Sequence, residues 1–127
     1  MPPKEESVTQ FLNVDLDIRA RAGLEELLRS MAPSVIVMCQ AEQFASVELN
    51  ESYLSLDETI VKLVELIKSL PSQARNIWDQ CEERAINIGI QAGNEPHAAT
   101  FAISSKTVLM LAEAKFEVII TTYAPRS

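Results

Sequence analysis

A chain of 127 residues, of which 47% are hydrophobic and 23% charged, has the composition of one globular domain rather than of a disordered segment. Its formal net charge of −7 disfavours non-specific binding to nucleic acid, which depends on lysine and arginine neutralising phosphates. Apolar runs such as Val35–Cys39 are far shorter than the ~20 residues needed to cross a bilayer, so we expect no membrane segment.

Two features of the sequence, its polar N-terminus and its small number of cysteines, favour a cytoplasmic protein. Residues 1–7 (MPPKEES) lack the apolar core of a secretion signal and are expected to be a disordered arm, outside a single α+β domain formed by residues 8–127. Only Cys39 and Cys81 are present, both in apolar surroundings. We expect them to be buried structural thiols rather than redox partners.

The first predicted element is a strand over Leu12–Arg19, in which apolar and polar residues alternate. This period of two indicates a strand with one buried and one solvated face, in a sheet covered on one side only. The residues predicted to face the core are Leu12, Val14, Leu16 and Ile18. Those predicted to face outward are Asn13, Asp15, Asp17 and Arg19.

A short helix and two further strands follow. Beyond Gly23, leucines recur at helical spacing as far as Met31, and Pro33 ends this helix. The runs Val35–Ala41 and Phe44–Leu49 are rich in β-forming residues, and the short link between them indicates a hairpin or one long bent strand.

Two more helices are predicted in the middle of the chain. Ser55 and Glu58 have the spacing of a capping box, ahead of a long apolar stripe that Pro71 interrupts. Ser72 is expected to cap the next helix. This second helix carries Trp78 among apolar neighbours, which favours a core position over a surface binding anchor.

The last part of the chain returns to strands. Residues 86–92 alternate again, with Gly89 marking a bulge or the close approach of a large neighbour. A loop containing His97, a possible short strand Ala99–Ile103, a helix capped by Ser104 or Ser105, and a strand Glu117–Tyr123 complete the order. This order predicts an α+β fold with a largely antiparallel or mixed sheet of about five to six strands and helices packed on one face.

Several tracts of this chain resemble an uncharacterised bacterial family known only as a domain of unknown function. They are Leu70-Pro71, Ile77–Cys81, Ile86–Gly93, the helix start at Ile103-Ser104 and the final Ile119–Pro125. The resemblance covers roughly residues 8–125 in element order. Domains similar to that family have been proposed as immunity proteins of bacterial toxin systems. The resemblance therefore implies the fold and an immunity-like role, and it brings no catalytic residues with it.

The outward side of the sheet is the candidate functional surface. The residues expected to contact a partner there are Asn13, Asp15, Asp17, Arg19, Glu48, Asn87, Gln91 and Tyr123. A flat, polar and acidic surface suits a protein partner better than a small molecule, which needs a concave pocket. The leading hypothesis is a non-enzymatic protein-binding domain that recognises a basic protein, and the surface is also suited to a structural homodimer.

A rival hypothesis is a small metal-dependent hydrolase using Asp15, Asp17 and His97. Two carboxylates on one face can contribute to a Mg²⁺ or Ca²⁺ site. Against this, Arg19 on the same face is expected to neutralise Asp17, and one histidine with two scattered cysteines gives no zinc set. No phosphate-binding loop or nucleophile elbow is present, and we expect no cofactor and no catalytic residues.

Overall fold

The computed structural model describes residues 8–52, 54–94 and 98–125, which form an α+β fold as predicted. The strands and helices, in chain order, are β1 (Gln10–Arg19), α1 (Leu24–Met31), β2 (Val35–Gln40), β3 (Phe44–Leu49), α2 (Leu56–Lys68), α3 (Ser72–Asp79), β4 (Glu83–Gln91), α4 (Ser105–Glu113) and β5 (Glu117–Tyr123). The expected N-terminal arm and His97 lie outside the described residues. Within these residues no helix is long and apolar enough to cross a membrane.

The strands form one mixed, mostly antiparallel sheet in the order β2-β3-β1-β4-β5. Every neighbouring pair is antiparallel except β4 and β5, which are parallel and are joined through α4. Parallel strands need a long crossover connection, and here α4 provides it. The prediction of a short strand over Ala99–Ile103 is wrong: this segment is irregular, and its Phe101 and Ile103 pack against the core.

The helices pack on one face of the sheet. Val14, Leu16 and Ile18 of β1 are buried on this face, together with the apolar sides of all four helices, in a single core. In the described residues no helix covers the opposite face, as the alternation predicts, and we call it the open face. The residues directed to this face are Ile36 and Cys39 of β2; Phe44, Ser46 and Glu48 of β3; Asn13, Asp15, Asp17 and Arg19 of β1; Glu83, Ala85, Asn87, Gly89 and Gln91 of β4; and Glu117, Ile119, Thr121 and Tyr123 of β5.

The alternation of β1 fails at its beginning, where Leu12 was expected in the core. The register between β1 and β4 shifts between Phe11 and Asn13, so Leu12 is the extra residue of a β-bulge. Its side chain is 44% exposed, and Phe11 takes the place at the core. A bulge reverses the side-chain alternation beyond it, which explains the exchange.

Two of the predicted helix caps are present and one is wrong. The hydroxyl of Ser55 accepts a hydrogen bond from the Glu58 amide at 3.2 Å, and Ser104 accepts one from the Thr107 amide at 3.2 Å. Ser72 caps nothing, because it is already the first residue of α3. The carbonyl of Pro71 accepts a hydrogen bond from the Arg75 amide at 2.9 Å, so Pro71 occupies the N-cap position.

The two cysteines differ, although both were expected to be buried. Cys81 is buried, and burial raises the pKa of its thiol. Cys39 is exposed, because β2 is an edge strand and Cys39 lies opposite Ser46 on the open face. The local apolar run around Cys39 therefore indicated a strand correctly but not its place in the sheet.

Trp78 lies in the core, as its apolar helical neighbours predicted. Its side chain is fully buried, and the indole Nε1 donates to the Ala114 carbonyl at 3.0 Å. The ring lies 5.0 Å from that of Phe116 in a tilted arrangement. Trp78 thus links α3 to the segment between α4 and β5.

Candidate functional site: the acidic open face

Three carboxylates from two strands meet at the centre of the open face. Asp15 and Asp17 lie on β1, which is the central strand of the sheet. Pairing of Leu16 with Val47 places Glu48 of β3 beside Asp15. The sequence predicted that Asp15 and Asp17 share a face and that Glu48 contributes to the same surface; strand pairing brings Glu48 directly beside Asp15. We call Asp15, Asp17 and Glu48 the acidic cluster.

The carboxyl of Asp15 is the most strongly perturbed group of the acidic cluster. Its pKa is raised from 3.8 to about 6, first by burial, then by hydrogen bonding with Glu48 and by the negative charges of Glu48 and Asp17. Below about pH 6 the proton held by Asp15 relieves the repulsion. Above it, Asp15 loses this proton, and a cation placed beside its carboxylate would be stabilised.

A side-chain amide connects the two strands of the acidic cluster. The Nδ2 of Asn13 lies 3.5 Å from Oδ1 of Asp15 and 3.4 Å from Oε2 of Glu48, as a donor to both. Gly89 on β4 makes room for it: a Cβ at this position would lie 2.6 Å from Oδ1 of Asn13. Gly89 was expected to mark a bulge or the close approach of a large neighbour; a close approach is found, and the approaching side chain is that of Asn13.

Asn87 and Thr121 extend the polar surface toward β5. Asn87 lies opposite Asp15 in the β1–β4 pair, and its Oδ1 accepts a hydrogen bond from the Thr121 hydroxyl at 2.8 Å. This bond fixes the amide beside the acidic cluster. The position of Asn87 on the open face agrees with the alternation of β4.

Arg19 does not neutralise Asp17, contrary to expectation. Its guanidinium lies 3.5 Å from Glu83 and 5.1 Å from the centre of the Phe44 ring, over which it stacks. Arg19 is directly paired with Phe44 and Glu83 on the neighbouring strands. Its side chain therefore contacts these cross-strand partners rather than Asp17, two positions away on its own strand. In the described part of the chain, no lysine or arginine makes a salt bridge to the acidic cluster.

Gln91, predicted as a contact residue, is not available on the surface. It is buried, and its amide donates to the carbonyls of Ala124 at 2.7 Å and Ala92 at 3.1 Å. Its bonds hold the end of β5 against β4. Its polar residue type and its outward position on the strand suggested exposure. Instead, its amide is bound to the carbonyl of Ala124, just after β5.

Apolar side chains at the two edges of the sheet complete the open face. Tyr123, which was predicted, is 52% exposed on β5, and Ile36 is 49% exposed on β2. Ile119 of β5 is exposed as well. Sequence reasoning missed the two isoleucines, because apolar residues in strands are ordinarily assigned to a core. Their exposure follows from the edge positions of β2 and β5.

The open face is not shaped for a small molecule. The cavity beside the acidic cluster, lined by Leu12, Asn13 and Glu48 among others, has a volume of about 150 Å³. Ligand pockets generally measure ~300–1,000 Å³. A larger depression of about 630 Å³ lies elsewhere, next to Gly23, Asn76 and Ile77.

The structure supports one of the geometric requirements of the hydrolase hypothesis. Asp15 and Asp17 do share a face, whereas His97, its third residue, lies outside the described residues. In residues 8–52, 54–94 and 98–125, no group of three or more His, Cys, Asp and Glu side chains is arranged to hold a metal ion. The acidic cluster thus stands in the structure as a charged surface feature.

Comparisons with known proteins assign no family to this chain. A scan against protein-family models, a search of curated proteins and a search of solved structures all find no match. The resemblance to a domain family of unknown function accordingly stays a prediction.

Proposed function

We propose that this chain is a non-enzymatic protein-binding domain whose open face recognises a basic surface on another protein. The observation that carries the proposal is the acidic cluster: three carboxylates on a helix-free sheet face, with no salt bridge from a described lysine or arginine. Unpaired like charges brought together by the fold cost stability. A partner that supplies the missing cation would recover that cost on binding.

The chemistry of the surface favours an arginine or lysine of the partner above Asp15 and Glu48. An arginine fork binds carboxylates in a planar, two-point geometry, and partial burial strengthens such contacts. Around this centre, Ile36, Ile119 and Tyr123 offer exposed apolar area. A charged centre with aromatic and aliphatic side chains near it is a common composition for protein interfaces.

An immunity-like role is the form of this function that the family resemblance supports. Such a domain would act by covering a basic surface of a toxin and excluding its substrate. The net charge of −7 would accelerate encounter with a basic partner and make association sensitive to salt. A toxin encoded beside this gene would be the first partner to test.

The experiment compares charge reversal on two surfaces of the same protein. One variant carries Asp17→Lys and Glu48→Lys in the acidic cluster. The control variant carries Glu25→Lys and Glu113→Lys, which are exposed on α1 and α4 and give the same net charge. Each chain is immobilised, and binding of the neighbouring gene product, or of proteins captured from the native lysate, is measured at low and high salt.

We expect the wild type and the control variant to bind the same protein, and the cluster variant to lose it. Affinity should fall at least tenfold between about 50 and 500 mM salt, because Debye screening shortens the reach of exposed charges. Equal binding by the cluster variant, or an affinity independent of salt, would contradict the proposal. Circular dichroism of each variant establishes that it is folded.

A further inference from the structure

Among the described residues, strand β5 forms one edge of the sheet, and this edge is regular and carries a single charged residue, Glu117. It pairs with β4 over its whole length without a register shift, and among the described residues no strand lies on its outer side. Val118 and Ile120 point to the helix side of the sheet yet are 47% and 61% exposed. Long, flat and apolar edge strands are templates for pairing with another chain.

The hydrogen bonds of β5 show which of its backbone groups are free. The Tyr123 carbonyl accepts from the Ala92 amide at 2.9 Å, so the backbone polar groups of Tyr123 point toward β4. In a strand the N–H and C=O of one residue point to the same edge, and successive residues alternate. The N–H and C=O groups of Val118, Ile120 and Thr122 therefore point outward.

We propose that β5 pairs antiparallel with β5 of a second copy of this chain, around a two-fold axis at Ile120. Ile120 would exchange both backbone hydrogen bonds with the partner's Ile120, and Val118 would do so with the partner's Thr122. The two five-stranded sheets would become one continuous sheet, with the helices of both copies on the same side. This surface is separate from the acidic cluster, and the inference does not rest on the proposed function.

The charge distribution along β5 is what makes a second copy the fitting occupant. Two chains of net charge −7 repel each other, so the contact must keep carboxylates apart. Glu117 is the sole charged residue of β5, and in this register it lies opposite the partner's Tyr123. The two Glu117 side chains are then at opposite ends of the contact. The strand is thus complementary to itself in hydrogen bonding, apolar side chains and charge.

The other edge of the sheet is less suited to pairing. The register between β2 and β3 shifts between Val37 and Cys39, which makes Met38 the extra residue of a bulge. Bulges in edge strands interrupt the row of backbone donors and acceptors, and they are a known protection against edge pairing. Of the two edges, β5 is therefore the one open to a regular ladder.

The size of the contact sets the strength expected. A standard stable interface buries about 800 Å² per partner, and one seven-residue edge offers less than this. Val108 and Leu109, exposed on the crossover helix α4, add apolar area on the same side of the sheet. We expect a reversible dimer with a dissociation constant between about 10 and 100 μM.

Sedimentation velocity over a concentration series tests the dimer with two matched variants. Ile120→Lys places a charge at the two-fold axis, and Ile36→Lys places the same charge on another exposed isoleucine, in the opposite edge strand β2. We expect wild type and Ile36→Lys to dimerise with similar dissociation constants. For Ile120→Lys we expect dimerisation to be weaker by at least tenfold. Reducing agent excludes disulfide dimers through the exposed Cys39.

A wild type that remains monomeric at about 1 mM, far above the expected constant, would overturn the inference, as would a dimer abolished only by Ile36→Lys. Hydrogen exchange of the wild type gives a readout that depends on no variant. The outward amides of Ile120 and Thr122 should exchange more slowly as concentration rises, whereas that of Ile119, directed toward β4, should not change. Exchange at Ile120 that is the same at all concentrations would also overturn it.

Discussion

At the scale of single residues, the chemistry of the open face is concentrated in Asp15. Its side chain is half-buried between β3 and β4, next to Glu48 and under the influence of Asp17. A carboxyl in such a place is harder to ionise than the same carboxyl in the unfolded chain. Deprotonation of Asp15 therefore works against folding.

We expect the free energy of unfolding to decrease as pH rises through about 6. The folded state holds its proton up to a pKa of about 6, whereas unfolded aspartate releases it near 3.9, so the folded state binds more protons in between. This stabilisation is complete below about pH 4 and is lost above about pH 6. Urea denaturation at a series of pH values measures it.

Asp15→Asn should remove this pH dependence and raise stability at about pH 7.5 by ~1 kcal/mol, allowing for partial solvent screening. Glu48→Gln should act in the same direction, because it removes the main neighbouring charge. Glu117→Gln on exposed β5 is the control and should leave the pH dependence unchanged. A wild-type slope that survives in Asp15→Asn would show that another group is responsible.

At the scale of elements, helix α4 positions β5, and its beginning is held by side chains. The hydroxyl of Ser104 accepts from the Thr107 amide at 3.2 Å, and the amide of Ser104 donates to Oδ1 of Asp57 at 2.9 Å. Asp57 lies in the first turn of α2. The starts of two helices are therefore joined at one point.

Ser104→Ala should destabilise the protein by about 1 kcal/mol, because an orphan amide of the first turn loses its acceptor. Ser105→Ala is the matched control: Ser105 is an exposed first residue of α4, and replacing it should change stability by less than ~0.5 kcal/mol. Thermal or urea melts of both variants give the comparison. Equal effects of the two substitutions would count against Ser104 as the cap.

At the scale of the whole molecule, one core connects the elements, and Trp78 lies in it. The indole contacts Phe116 and donates to Ala114, so it joins α3 to the return from α4 to β5. Trp78 is the sole tryptophan, and its fluorescence reports on this core.

Trp78→Phe should lower the free energy of unfolding by about 1–3 kcal/mol, from lost packing and an unpaired Ala114 carbonyl. Leu109→Ala, on an exposed position of α4, should change it by less than ~0.5 kcal/mol. Far-UV circular dichroism during urea denaturation measures both. In the wild type, tryptophan fluorescence should follow the same transition, as expected of one cooperative core.

Much of the fold could be predicted because its strands and helices follow from patterns of neighbouring residues. The alternation from Val14 to Arg19 indicated a strand with one open face, and the pair Ser104-Ser105 indicated where α4 begins. These signals depend on residues a few positions apart, whose side chains share a face by the geometry of the strand or helix itself. The α+β class and the position of Asp15 and Asp17 on the open face followed from them.

The tertiary structure alone decided which strands are neighbours and in what register. Contact between Asp15 and Glu48, the pairing of Arg19 with Glu83, and the exposed edge at Cys39 all depend on segments far apart in the chain. Such pairings depend on packing between distant segments, and this packing cannot be deduced from any short stretch of sequence. The sequence by itself thus determined the elements and their apolar sides, while the sheet order assembled the acidic cluster and left β5 at an edge.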